Sequence, residues 1–208
     1  MSDHRPDTAL VAVLERAQQR GWVGKGPVSA QIAHARAFLD PIDTPPGQAA
    51  DLGSGGGLPA LVLALELPAT TWSLMESSRA RCDHLVRSAA ELELGARVEV
   101  VHARVEELAT DPAWRERFDL VTARSFGPPA VTAECASPLL HEAGLLVVSD
   151  PPDPAEDRWP SPGLATLALR ERAAVVADGV HLRVLEKTGP TPPGVPRPNA
   201  AIRARPRW

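Results

Sequence analysis

A chain of 208 residues fits one domain with an elaboration, and its 44% hydrophobic and 23% charged content is that of an ordinary globular protein rather than a disordered one. No stretch approaches ~18 unbroken apolar residues, which argues against a transmembrane span. Net charge is −4, which opposes a chain-wide nucleic-acid surface, yet residues 183–208 carry six cations against Glu186 alone, so this segment is +5 and residues 1–182 are −9.

The opening MSDHRPDTAL lacks the basic-then-apolar layout of a secretory signal, so the cytoplasm is the expected compartment. Residues 7–20 place Leu10, Val13, Leu14 and Ala17 on one helical face with charge opposite. Gly21 and the GKGP turn end that helix, and 28–39 repeat the pattern until Asp40-Pro41. The PIDTPPG segment is then a linker, dividing an N-terminal helical extension (1–45) from the main domain (46–208).

From there strands near 48–52, 71–76, 97–102, 118–123 and 144–149 alternate with helices near 57–66, 78–93, 104–109 and 128–139. That alternation predicts an α/β fold, a mostly parallel sheet with helices on both faces. The Pro-rich stretch 151–162 reads as a surface loop. Beyond it, 165–177 and 181–187 flank Asp178-Gly179 as two antiparallel edge strands, making seven in all. Cys82 and Cys135 fit neither a metal spacing nor a disulfide framework, so both are expected as reduced thiols and no metal is expected.

The chemistry concentrates in Asp51-Leu-Gly-Ser-Gly-Gly-Gly-Leu-Pro59, where the first strand feeds the first helix of the main domain. Ligands of open α/β sheets bind at such strand ends, and four glycines there leave bare backbone for one. A phosphate-cradling P-loop would need a Lys after the glycines, where Leu58-Pro59 stand. A dinucleotide fingerprint starting at Gly53 would need glycine at Leu58, and the nucleophile elbow fails because Ser54 is flanked directly by glycines. What remains, Asp-x-Gly-x-Gly-x-Gly before an apolar helix, resembles motif I of class I S-adenosylmethionine-dependent methyltransferases. The cofactor carries no phosphate, so a loop without a cation suits it. Its ammonium would meet Asp51 and the loop carbonyls. The same resemblance implies an acid for the ribose hydroxyls at the end of the second strand, and Glu76 stands 25 residues past Asp51.

Three further stretches narrow the likeness: ARVEEL (103–108), TARSFGP (122–128) and the tail EKTGPTPPGVPR…ARPRW. With DLGSGGGLP they resemble the bacterial 16S rRNA guanine-N7 methyltransferases, the glucose-inhibited division protein B family, over roughly residues 28–208. The resemblance implies a Rossmann-like methyltransferase fold and S-adenosyl-L-methionine as cofactor, with S-adenosyl-L-homocysteine as product. It implies cofactor contacts from Asp51, Gly53, Ser54, Gly55, Gly57 and Leu58, with Glu76 and Ser77 after the second strand. Val105 and Glu106 would flank the adenine. Arg124 would sit beside the reacting centre as the catalytic residue, unless it forms an ion pair with an acid such as Glu106.

The partner implied is rRNA or the small ribosomal subunit, with no membrane. Arg197, Arg203, Arg205 and Arg207 would contact the RNA backbone with salt-sensitive affinity. Guanine N7 has an in-plane lone pair, so alignment rather than a general base is expected to drive transfer. Departures from the family pattern are Arg36-Ala37-Phe38 after His34 in place of Asp-Ser, Ala80-Arg81 in place of Lys-Arg, and Ser149-Asp150 in place of Lys-Gly. These leave a small-molecule acceptor, or a non-catalytic RNA- or nucleotide-binding module on the same fold, as alternatives.

Overall fold

A computed structural model describes residues 8–152 and 157–208. The opening residues 1–7, and Asp153 to Glu156 of the Pro-rich loop, lie outside the described residues. In chain order the elements are α1 (Thr8–Gln19), α2 (Val28–Arg36), β1 (Gln48–Leu52), α3 (Ala60–Glu66), β2 (Thr71–Glu76), α4 (Arg79–Glu91), β3 (Val98–His102), α5 (Val105–Leu108), β4 (Phe118–Ala123), α6 (Pro129–Ala136), β5 (Leu140–Asp150), α7 (Ser161–Ala165), β6 (Leu169–Ala177), β7 (Val180–Lys187) and α8 (Asn199–Ala204). Short 3-10 turns extend α2 through Ala37–Leu39 and α6 through Ser137–Leu139.

One seven-stranded sheet runs in the order β3-β2-β1-β4-β5-β7-β6. β1 pairs in parallel with both β2 and β4, so the chain reverses direction across the sheet at the end of β1. This is the switch point at which an open sheet leaves a crevice for a ligand. β7 is antiparallel to β5 and lies between it and β6, so only β6 forms that edge of the sheet.

Side chains alternate between the two faces of a strand, and the core divides accordingly. Ala49, Trp72, Leu74, Leu120 and Val147 pack with α1, α2, α3 and α4 on one face. Ala50, Met75, Val121, Leu146 and Val148 pack with α5, α6 and α8 on the other. The N-terminal helices share the first cluster with α3 and α4: Leu10, Val13, Leu14, Ala17, Ile32 and Ala35 are all buried in it. Each fully buried Leu, Ile or Val stabilises by about 1.5–3 kcal/mol, which fixes these helices over the crevice. The same alternation carries Asp51, Glu76 and Thr122, each two residues beyond an apolar residue of the first cluster, onto the face that the N-terminal helices cover.

The predicted strands and helices match the observed ones closely, with β5 longer than 144–149 at both ends. Two short helices, α7 and α8, were not expected. Each lies in a Pro-rich stretch and begins directly after a proline, Pro160 and Pro198, so composition signals loop there while proline is well tolerated at a helix start. Among the described residues no helix is long and apolar enough to cross a membrane, and no group of three or more His, Cys, Asp or Glu is placed to hold a metal ion.

Candidate functional site

The carboxyl ends of β1, β2 and β4 converge on the glycine loop. Asp51 is fully buried, and its Oδ1 accepts a hydrogen bond from Thr122 Oγ1 at 2.7 Å. Its Oδ2 is buried with no hydrogen-bond partner. Burial raises the Asp51 pKa to about 7, a rise opposed by the hydroxyl bonds and by the nearby Arg124 charge. A buried carboxylate with a vacant lone pair is costly unless something cationic completes it.

Glu76, 3% exposed, holds the loop in shape. Its Oε2 accepts from Gly55 N–H at 3.0 Å and its Oε1 from Ser78 N–H at 2.8 Å. Each oxygen keeps a further lone pair for another donor. Arg81 Nη1 approaches Oε2 at 3.7 Å, so the cation in ARC (80–82) faces the site.

The glycines divide by what a side chain would meet. A Cβ on Gly57 would stand 2.3 Å from Leu61 Cδ1, and one on Gly56 2.6 Å from Val23 Cγ2, so these two are required for packing against α3 and the N-terminal segment. A Cβ on Gly53 would stand 2.9 Å from the Phe126 ring. At Gly55 (φ +57) the nearest atoms are the carbonyls of Gly53 and Trp22 at 3.6 and 3.8 Å, so this position opens into a cavity.

That cavity, about 290 Å³, is floored by Gly53, Ser54, Gly55, Gly56 and Leu58, flanked by Arg81, Arg124 and Ser125, and roofed by residues 21–24. The roof comes from the turn between α1 and α2. Sequence reading found that turn but had no local signal that it would fold over the glycine loop. A cavity of about 340 Å³ elsewhere lies among residues 42–47, Asp119, His141 and Arg172, at the amino ends of β1, β4 and β5. Open sheets do not carry their ligands at that end. It contains a His/Asp pair the sequence did not announce, His141 Nε2 to Asp119 Oδ1 at 2.7 Å.

Arg124 follows β4 directly and is partly buried. Its Nη2 donates to Gln31 Oε1 on α2, and its Nη1 is buried with no partner. Burial lowers its pKa below the ordinary value while the Asp51 charge opposes the shift. Glu106, the acid expected as its alternative partner, instead accepts from Arg203 Nη2 at 3.1 Å. Ser125 takes a left-handed backbone (φ +58), turning the chain sharply after Arg124. His34 on α2 faces the same region with its Nδ1 buried and unpartnered; burial and then the Arg124 charge lower its pKa to about 4, so its ring is neutral at physiological pH.

The remaining expected residues are more dispersed. Ser54 is buried, its Oγ donating to the Asp51 carbonyl at 3.1 Å. Ser77 is exposed, and its carbonyl contacts His102 Nε2 at 3.1 Å. Val105 is buried in the second core cluster. Three of the four tail arginines have internal partners. Arg197 forms a two-pronged bond to the fully buried Glu134, with Nε to Oε1 at 2.8 Å and Nη2 to Oε2 at 2.6 Å. Arg207 Nε stands 3.2 Å from Glu134 Oε2, and Arg203 holds Glu106. Arg205 is exposed, its carbonyl accepting from Arg197 Nη1 at 2.9 Å. Buried carboxylates on α5 and α6 thus hold three of the four arginines expected to contact RNA.

A family model described as GidB, rRNA small subunit methyltransferase G, matches residues 31–150, more than half of the chain. Ribosomal RNA small subunit methyltransferase G of Desulfitobacterium hafniense (strain Y51) is 35% identical over 155 residues, covering 71% of this chain and 64% of that protein. The protein of the same name from Synechococcus sp. (strain WH7803) is 37% identical over 110 residues, covering 53% and 43%. The chain thus spans under two thirds of each of these relatives. Among solved structures, an O-methyltransferase from Bacillus cereus in complex with SAH superposes with a TM-score of 0.63 at 14% identity, over 90% of this chain and 94% of that one.

Proposed function

The chain belongs to the GidB family of rRNA small subunit methyltransferases G, and from that premise we propose that it is an S-adenosylmethionine-dependent methyltransferase acting on guanine N7 of small-subunit rRNA. The observation that carries the reading is the buried, unpartnered Asp51 Oδ2 at the head of the glycine loop that floors the cavity. A site that lacks a loop cation yet leaves a carboxylate incomplete suits a ligand bearing an ammonium and no phosphate.

The residues present fit that ligand. Asp51 would take the ammonium, Gly53, Gly55 and Leu58 would lie along it as bare or apolar floor, and Glu76 would accept from ribose hydroxyls through its remaining lone pairs. Bound there, the cofactor supplies an electrophilic methyl group on sulfur. This chain's own contribution is then alignment and exclusion of water. Residues 21–24 close over the loop, and Arg124 Nη1 offers a buried donor to the acceptor's O6, which leaves the N7 lone pair free to attack. No base is required for an in-plane lone pair.

A small-molecule acceptor is the second reading, favoured by the internal partners of Arg197, Arg203 and Arg207. Under the rRNA reading Arg197, Arg203, Arg205 and Arg207 would contact the RNA backbone, with Arg205 the one whose side chain no internal carboxylate holds among the described residues. Nucleoside analysis of rRNA from cells lacking this protein tests the choice: one 7-methylguanosine should disappear and return on complementation. An unchanged modification profile would sink the rRNA reading.

A further inference from the structure

A second cavity adjoins the first across Ser125. It measures about 320 Å³ and lies over the ends of β4 and β5, lined among others by His34, Phe126, Ser149, Asp150, Arg158 and Trp159. Ser125 lines both cavities, and the Phe126 ring packs against Gly53 of the cofactor loop. The order across the sheet is therefore β1 with the glycine loop, then β4 with Arg124 and Ser125, then β5 with Ser149 and Asp150.

The far wall of this second cavity is a carboxylate. Asp150 ends β5 with a side chain only 5% exposed. Its Oδ2 accepts from Trp159 Nε1 at 2.9 Å, and Arg183 Nε stands 3.5 Å from the same oxygen. Its Oδ1 accepts no hydrogen bond, although Arg158 Nε is 3.4 Å away. That arginine is one-third exposed on the rim, so its guanidinium has room to shift. The cavity thus combines an aromatic wall at Phe126, a volume near the lower end for small-ligand sites, and one buried carboxylate on the side away from the methyl donor, with Oδ1 unpartnered and a second lone pair on Oδ2 beyond the Trp159 bond.

We propose that this cavity is the acceptor-base pocket and that Asp150 selects guanine in it by accepting the N1–H and N2–H donors of the base. The inference rests on the methyltransferase reading above and deepens it. A guanine whose N7 faces Arg124 and Ser125 turns its opposite edge, with two adjacent donors, toward β5. A carboxylate is an acceptor-only group that matches both. Adenine presents a lone pair at N1 there and is repelled, and inosine lacks the second donor. A single base must leave its stack to enter, as for other enzymes that do chemistry on a base. Phe126 would then offer it a stacking face.

The test uses the full chain with S-adenosylhomocysteine bound and three probes, guanosine, inosine and adenosine monophosphates, titrated by ligand-observed NMR. The wild type should bind the guanosine nucleotide about tenfold more tightly than the inosine one, the scale of one charge-assisted hydrogen bond, and the adenosine one more weakly still. Asp150→Asn keeps an acceptor for Trp159 and should erase that preference while leaving S-adenosylhomocysteine affinity unchanged, a pattern that mere loss of structure would not produce. Equal binding of the three nucleotides by the wild type, or a preference that survives Asp150→Asn, overturns the inference. Failure of the rRNA reading would show separately, as an unchanged 7-methylguanosine profile in cells lacking the protein.

Discussion

Asp51 and Glu134 are both fully buried carboxylates, and they are treated in opposite ways. Glu134, on α6, receives the Arg197 guanidinium on both oxygens, the Arg197 backbone N–H at 3.0 Å, and Arg207 from the side. These contacts outweigh its burial and hold its pKa below the usual carboxylate value. Asp51, at the end of β1, has a threonine hydroxyl on one oxygen and nothing on the other, and burial lifts its pKa to about 7. Glu134 is a completed staple that fastens the C-terminal segment to the sheet. Asp51 is an incomplete pair that waits for a cation. The comparison separates charge used for folding from charge held for a ligand, a distinction that composition alone does not make.

The largest effect should come from filling the space beside Asp51. Gly55→Asp places a side chain in the cavity, at a left-handed position that Asp tolerates better than most residues. A side chain there occupies the space the cofactor would fill, so S-adenosylmethionine affinity should fall about a thousandfold or more. Calorimetry showing wild-type affinity would end the assignment of this cavity. The staple should respond in the reverse sense. Arg197→Ala leaves Glu134 buried with one weaker cation, and stability should fall by about 3 kcal/mol in chemical denaturation. Cofactor affinity should hold in that variant. A thousandfold loss of affinity there, or no loss of stability, would erase the contrast between the two carboxylates.

The same contrast marks how far the sequence could be read. The glycine loop, Asp51 and Glu76 were legible because strand, turn and helix succeed one another locally. A loop between a strand and its following helix has one place to go. Partners joined across long separations were not legible. Arg197 meets Glu134 63 residues away, Arg203 meets Glu106 97 residues away, and Arg124 meets Gln31 93 residues away. A run of arginines near a chain end has the same composition whether it faces solvent or a buried acid. Only the placement of Glu106 and Glu134 on the covered faces of α5 and α6 decides it, and no periodicity in the tail encodes that. Truncation after Lys187 would for this reason strand two buried carboxylates as well as remove basic charge, so it cannot isolate an RNA contact. The roof formed by residues 21–24 escaped for the same cause, since its contact with Gly56 is tertiary.

The smallest effect, and the most discriminating, concerns protons. Asp51 has a folded-state pKa of about 7 against an ordinary value of 3.8. Between those values the folded chain binds more protons than the unfolded one, so this group lowers stability as pH rises from about 4 to about 7. A ligand whose ammonium pairs with Asp51 favours the ionised form and reverses the preference. Groups facing Asp51 come from three directions: Glu76 from β2, Thr122 from β4 and Arg124 just beyond it, and Ser54 from its own loop. Glu76 opposes ionisation and the other three favour it. S-adenosylmethionine should therefore bind about tenfold more weakly at pH 6 than at pH 8, with roughly one proton released near pH 6. Calorimetry in buffers of different ionisation enthalpy reads both quantities. In Asp51→Asn the affinity should be lower and the pH dependence absent. The analogous Glu134 variants should leave the slope intact, because a carboxylate already completed by two arginines has no proton to release in that range.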